Sequence, residues 1–271
     1  MPRRFTGKTV IVTGGAAGLG RCIALRFARA GAGVWALDRD AEAVSRFGEE
    51  ARRLGLALDT ALCDVADFEQ CRAAVDEIRG PSGGVDVLVN NAGISHRSAF
   101  RATDPAVLRR VIEVNLMGSI HMTHTALPGL IARRGLIIVL SSVAGIAPLI
   151  ARTGYAASKH ALHGFFGSLR TELRADGVGV LMVCPSFIAT GIERHALGPD
   201  GKPVGRKQEI VGRRTTPEVV ADRIFRAAER DRRLLLPDAV ARASYWMARL
   251  LPRLYEAIMV RKLRGELGEG G

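Results

Sequence analysis

Lys8-Thr9-Val10-Ile11-Val12-Thr13-Gly14-Gly15-Ala16-Ala17-Gly18-Leu19-Gly20 is the stretch that decides the fold. Its first half is short, apolar and rich in β-branched residues, as a strand buried on both faces is, and it stops at glycines. Its second half leads into Ile23, Phe27 and Ala30, spaced as one face of a helix. The alternation recurs: Val34 to Leu37, Leu56 to Leu62, Val85 to Val89, Leu136 to Leu140, Val178 to Val183 and Leu234 to Leu236 are further short apolar runs with helical stretches between them. Seven strands with six intervening helices read as βαβ units. The expected fold class is α/β, a single doubly wound domain with a seven-stranded parallel sheet and helices on both faces.

Composition narrows the possibilities. A chain of 271 residues, 48% hydrophobic and 24% charged, has the apolar material for one sizeable core and excludes disorder as the main state. Residues 1–237 read as the main domain, with 190–216, rich in Gly, Pro and charge, as a substrate lid. Residues 238–271 read as a C-terminal helical extension. Basic residues exceed acidic ones by 39 − 27 = 12. That excess is nearly all arginine and forms no aromatic-studded stripe, so nucleic acid is not an expected partner. No apolar run reaches the ~18 residues of a membrane span, and the first residues lack a signal-peptide core, so a cytoplasmic location is expected. Cys22, Cys63, Cys71 and Cys184 have neither metal-ligand nor disulfide-scaffold spacing and read as reduced thiols. The six histidines show no zinc spacing with carboxylates, and no metal is expected.

Glycines at 14, 18 and 20 do not follow the Gly-x-Gly-x-x-Gly order, yet the same physics applies. They allow a sharp turn and let a pyrophosphate approach amide N–H groups at a helix N-terminus. Gly14, Ala17, Gly18, Leu19 and Gly20 are therefore the candidate cradle of a Rossmann-type dinucleotide site. Asp38 ends the second strand, 18 residues beyond Gly20, where a carboxylate accepts hydrogen bonds from the adenosine ribose and repels a 2′-phosphate. This favours NAD. Arg39 beside it keeps NADP as the alternative.

The spacing Thr-Gly-x-x-x-Gly-x-Gly resembles that of the short-chain dehydrogenase/reductase family, and the resemblance runs to about residue 236. It implies an adenine contact at Asp64-Val65 and a sheet-stabilising, cofactor-lining role for Asn90-Asn91-Ala92-Gly93. Pro185-Ser186-Phe187-Ile188-Ala189-Thr190 is similar to the family's Pro-Gly-x-x-x-Thr segment at the nicotinamide end. Ser186 replaces glycine there, while Pro185, the backbone contact at Ile188 and the hydroxyl of Thr190 are retained. Members commonly form dimers or tetramers, which makes a homodimer or homotetramer the expectation.

Ser142 closes the fifth strand, and 13 residues later Tyr155-Ala156-Ala157-Ser158-Lys159 begins a helix. Tyr155 and Lys159 lie one turn apart on one face, so their polar ends can converge. A tyrosine that titrates near ~10 is a poor base at neutral pH, and a nearby ammonium favours its phenolate. So placed, Tyr155 exchanges the proton of an alcohol or ketone as hydride moves to or from nicotinamide, and Ser142 holds the reacting oxygen. The resemblance adds that Lys159 binds the nicotinamide ribose and that Asn115 anchors a relaying water. Asn115, Ser142, Tyr155 and Lys159 together favour an enzyme over a dinucleotide-binding sensor or scaffold, which needs no activated phenol. An epimerase or dehydratase of the extended families is disfavoured by the glycine spacing.

The expected substrate wall is Gly145 to Ala151, with Ile94 and Phe187 opposite. These residues are apolar, so a secondary alcohol or ketone on a sterol-, retinoid-, terpenoid- or lipid-like body is the expected substrate. Arg152 is expected to face water. In the extension, Met247, Leu250, Leu251, Leu254, Tyr255, Ile258 and Met259 recur at helical spacing between Arg242, Arg249, Arg253, Arg261 and Arg264. This stripe is expected to pack on the lid or on a partner subunit; peripheral membrane contact through 239–264 is the alternative.

Overall fold

The computed structural model describes residues 2–79, 84–189, 195–205, 209–212 and 214–267. The seven expected strands are β1 (Thr9–Thr13), β2 (Gly33–Asp38), β3 (Leu58–Leu62), β4 (Val87–Asn90), β5 (Leu136–Leu140), β6 (Gly179–Val183) and β7 (Leu234–Leu235). They form one parallel sheet in the order β3-β2-β1-β4-β5-β6-β7. The order reverses between β1 and β4, and this switch point is where open α/β sheets bind ligands.

Alternation along each strand assigns the two layers. Val10 and Val12 of β1, with Val87 and Val89 of β4, face the layer of α1 (Gly18–Ala28), α2 (Ala41–Arg53) and α7 (Pro217–Glu229). Ile11, Leu88, Ile137 and Val139 face α3 (Phe68–Arg79), α5 (Gly118–Arg133) and α6 (Thr153–Glu172). Both sets are fully buried, which is why the strands read as continuous apolar runs rather than alternating ones. Between β4 and β5 the chain forms α4 (Pro105–Ile112) and a π-helical turn, Glu113–Met117, before α5.

The third strand begins at Leu58 rather than Leu56, because Gly55, with φ +62°, is still completing the turn after α2. After β7 come α8 (Ala239–Leu250), capped by the Asp238 carboxylate accepting from Ala241 N–H, and α9 (Pro252–Leu263). Thr190, and residues 191–194, 206–208 and 213 of the expected lid, lie outside the described residues. The described parts of that segment are tied down. Leu197 pairs with the strand-like backbone at Ser95 and Arg97, and Asp104 N–H donates to Pro199 O (2.9 Å).

Candidate active site

A cavity of about 470 Å³ opens at the C-terminal ends of the strands. Of the expected site residues, Gly14, Ala17, Gly18, Leu19, Gly20, Asp38, Arg39, Asp64, Val65, Asn91, Ala92, Gly93, Ser142, Tyr155, Lys159, Pro185 and Ile188 all line it. Its first section is the glycine turn. Gly14 has φ +58°, and a Cβ there would stand 2.9 Å from Ala92 Cα; a Cβ on Gly20 would overlap the Gly14 carbonyl. Only hydrogen fits, which keeps the amides at the start of α1 open to a ligand. Thr13, fully buried, ties this turn to the loop after β4: its Oγ1 accepts from Asn91 and Ala92 N–H (3.0 Å each) and donates to Val89 O (3.3 Å). Asn91 Nδ2 returns bonds to Thr13 O and Gly14 O.

Asp38 is half-buried, its two oxygens accepting from Ala16 N–H (3.2 Å) and Asp40 N–H (3.3 Å). These bonds fix its orientation and leave lone pairs facing the cavity, because a carboxylate has about four acceptor positions. Arg39 beside it is exposed. Asp64 accepts from Ala66 N–H (3.0 Å) and from the Arg110 guanidinium (3.3 Å).

Ser142 is the N-cap of a 3-10 turn, its Oγ accepting from Ala144 N–H (3.1 Å). Asn115 is fully buried in the π turn. Its Oδ1 accepts from Ile94 N–H (2.8 Å), and its Nδ2 donates to Ile94 O and Ser158 Oγ. It lies behind the cavity wall rather than in it, bracing α6 against the loop after β4. Lys159 Nζ donates to Leu140 O (2.7 Å) and stands 5.7 Å from the centre of the Tyr155 ring. Burial pulls the Lys159 ammonium down to about 8, opposed by the Cys184 thiol.

Tyr155 lines the cavity with Ser142 and Lys159. Burial raises its phenol above the ordinary value; hydrogen bonding with Ser142 and the charge of Arg152 oppose that rise. The Lys159 ammonium, bonded to the β5 carbonyl, also stands 5.7 Å from the centre of the Tyr155 ring.

Arg152 does not face water as expected. It is 4% exposed and lines the cavity, where its guanidinium pairs with Glu266 (3.3 Å). Arg97, also in the wall, meets the same carboxylate in a two-pronged pair at 2.9 and 3.0 Å. Glu266, 2% exposed, therefore ties the end of the described chain to the cavity wall through Arg97 and Arg152. The expected apolar wall is thus mixed. Ile94, Val143, Leu149 and Phe187 line the cavity, but so do Ser95, Arg97, Arg152 and His195. Ala147 and Ile150 instead pack under the extension, against Tyr255, Met259 and Leu263. The C-terminal stripe accordingly divides: Tyr255 and Met259 are buried against Ala147 and Ile150, while Leu250, Leu251 and Leu254 are exposed with Trp246. Sequence reasoning missed Thr13, Arg97, His195 and Glu266. Only Thr13 carried a local signal, a hydroxyl at the end of an apolar strand.

The short chain dehydrogenase family profile matches residues 8–198. Dehydrogenase/reductase SDR family member 7B of Bos taurus is 35% identical over 265 residues, 95% of this chain and 82% of that protein. An SDR family protein 7-like sequence from Anopheles gambiae is 32% identical over 96% of this chain and 84% of its own length. Among solved structures, a short chain dehydrogenase/reductase from Burkholderia phymatum in complex with NAD superposes with a TM-score of 0.81 at 26% identity, covering 93% of this chain and 96% of that one. With the fold, the cavity and these relatives in agreement, the chain belongs to the short-chain dehydrogenase/reductase family of NAD(P)-dependent oxidoreductases.

Proposed function

We propose that the protein transfers hydride between NAD(H) and a secondary alcohol or ketone carried on a hydrophobic body. The observation that carries this reading is one cavity lined by the glycine cradle and Asp38 together with Ser142, Tyr155 and Lys159. The cradle suits a dinucleotide: Gly14 and Gly20 have no room for side chains, α1 offers its N-terminus, and the Asp38 carboxylate favours a ribose hydroxyl over a 2′-phosphate. Gly14, Gly18, Gly20, Asp38, Asp64, Val65, Asn91, Gly93 and Ile188 would hold the cofactor, with Thr190 as the family pattern implies. When bound, the nicotinamide supplies the hydride acceptor or donor.

The chain's own residues do the rest. Ser142 holds the substrate oxygen and stabilises charge developing on it. Tyr155, as the phenol, gives its proton to that oxygen during reduction and, as the phenolate, takes the substrate proton during oxidation. Lys159 fixes the site against the end of β5 and presents its remaining N–H donors to the ribose. Asn115 holds the helix that carries Tyr155 and Lys159. Ile94, Val143, Leu149 and Phe187 supply an apolar surface for the body of the substrate. The segment 190–216 acts as the lid, and a homodimer or homotetramer is the expected assembly.

A panel of hydrophobic alcohols and ketones, assayed with NAD(H) and NADP(H), tests this reading. Turnover of the panel with preference for NAD(H) is expected, and activity confined to sugars or hydroxy acids counts against it.

A further inference from the structure

We infer that the corner between α8 and α9 is a docking surface for an anionic lipid membrane, which the protein meets from one side without crossing it. The inference goes beyond the proposed chemistry and does not depend on it. Three observations carry it.

The first is an apolar cluster that is uncovered among the described residues. Trp246 and Leu250 lie one turn apart near the end of α8, Leu251 and Pro252 form the corner, and Leu254 follows in the first turn of α9. All five are exposed, Leu250 at 69% and Trp246 at 59%. The other exposed large apolar side chains are scattered along the described chain, which is ordinary for a protein surface. Nor are these helices loosely held. Their inner faces are packed, with Tyr255, Met259 and Leu263 buried against Ala147 and with Met247 and Ala248 beside them.

The second is charge. Residues 239–264 carry Arg242, Arg249, Arg253, Arg261, Lys262 and Arg264 against a single carboxylate, Glu256. The six cations are exposed, and among the described residues none of them pairs with a carboxylate. Arg249 lies over the Tyr245 ring, 3.7 Å from its centre. Arg253, Arg261 and Arg264 share with Leu254 and Val260 the side of α9 turned away from Tyr255, Met259 and Leu263. Apolar and cationic side chains therefore occupy one outer surface.

The third is the fit of each occupant. A second copy docked about a twofold axis presents the same patch to itself, setting cations against cations with only the two Glu256 carboxylates to offset them. A nucleic acid calls for stacking platforms along a basic groove, whereas the middle of this patch is leucine with one indole ring. An anionic bilayer matches both parts: tryptophan and leucine enter the boundary between headgroups and acyl chains, and arginines around them meet the lipid anions. At 12 residues each, α8 and α9 are too short to cross the hydrocarbon and suit a position in the interface. Their inner faces also pack on Leu149, which lines the cavity, so docking here sets one wall of the site beside the bilayer.

The test is flotation of the full-length protein with phosphatidylcholine vesicles that contain or lack phosphatidylserine, at low and at high salt. A DNA duplex is titrated in parallel, and light scattering follows the subunit number. The protein is expected to float with the phosphatidylserine vesicles and to be released by salt. Its tryptophan emission is expected to move to shorter wavelength, a change lost in Trp246→Phe, where Trp35 is the remaining indole. Arg253→Gln combined with Arg261→Gln should weaken vesicle binding by roughly 25-fold, since each cation near such a surface is worth about fivefold. Leu250→Gln combined with Leu254→Gln should weaken it even at low salt, and all four positions are exposed, so the fold is kept.

No flotation, equal flotation with both kinds of vesicle, or flotation that these variants leave unchanged overturns the inference. So does tighter binding to the duplex than to vesicles, or a corner variant that lowers the subunit number, because the occupant is then a nucleic acid or a second copy. Neither flotation nor emission needs turnover, so a failure of the proposed function leaves this result standing, and the reverse holds equally.

Discussion

Replacing Thr13 by valine probes how β1 builds the proposed cofactor cradle. Valine has nearly the shape of threonine and suits a strand, so the substitution leaves packing intact and removes one oxygen. That oxygen accepts from Asn91 and Ala92 N–H, both at 3.0 Å, and donates to Val89 O at 3.3 Å, at a residue 1% exposed. The longer bond to Val89 O contributes little. Asn91 N–H keeps a bond to Val89 O (3.0 Å), so Ala92 N–H is the group that loses its acceptor, at about 1–3 kcal/mol when buried. Because Ala92 is only half-buried, water relieves part of this, and a total of roughly 1–2 kcal/mol is expected. At about 2–4 °C per kcal/mol for a domain approaching this size, Tm falls by about 2–8 °C. Thr13→Ser is the control, since it keeps the hydroxyl and loses one methyl, worth about 0.8 kcal/mol. Urea unfolding gives the stability difference, and titration with dinucleotide gives the effect on the cradle, which weakens as Asn91 loses its register with Gly14. A valine variant no less stable than the serine variant would refute the hydrogen-bonded tie.

Asp38→Ala is expected to narrow or reverse a preference for NAD over NADP, with Arg39 then free to meet the 2′-phosphate; comparing kcat/KM for the two cofactors checks this, and a wild type that already prefers NADP overturns the assignment. His96 is pushed down to about 4 by burial, so between pH 6.5 and 4 the unfolded chain binds the extra proton and stability falls with falling pH, by up to about 1.4 kcal/mol per pH unit. His96→Gln retains an acceptor for Gly154 N–H and flattens that slope in unfolding experiments between those pH values; an unchanged slope contradicts the reading. Deleting residues 239–271 uncovers Ala147 and Ile150 and leaves Arg97 and Arg152 without Glu266, so lower solubility is expected by light scattering. Flotation of the intact protein with anionic vesicles, with no change in subunit number on truncation, follows if the exposed Trp246, Leu250, Leu251 and Leu254 serve a membrane.

The fold was legible because each strand is a short apolar run that ends at a turn, and a doubly covered parallel sheet demands such runs. That the glycine turn and Asp38 share one cavity was legible for a related reason: the chain order from Gly14 to Asp38 is also an order in space, since β1 and β2 are neighbours. Tyr155 and Lys159 were legible as a pair one turn apart, yet the direction of the Lys159 ammonium was not, because Leu140 O belongs to a strand 19 residues away in sequence. Arg152 was misread as solvent-facing for the same kind of reason. Its partner, Glu266, lies 114 residues further on and reaches it only through the packing of α9 over Ala147. Local pattern predicts which face a helix buries. It does not predict a charge that arrives from another part of the chain.

Tyr155→Phe tests the central claim most directly. It keeps the ring and removes the proton, so turnover of a ketone or alcohol from the hydrophobic panel, followed by nicotinamide absorbance, should fall by at least ~100-fold while dinucleotide affinity is largely retained. A phenylalanine variant with near-wild-type turnover would contradict the assignment of Tyr155 as the group that exchanges the substrate proton.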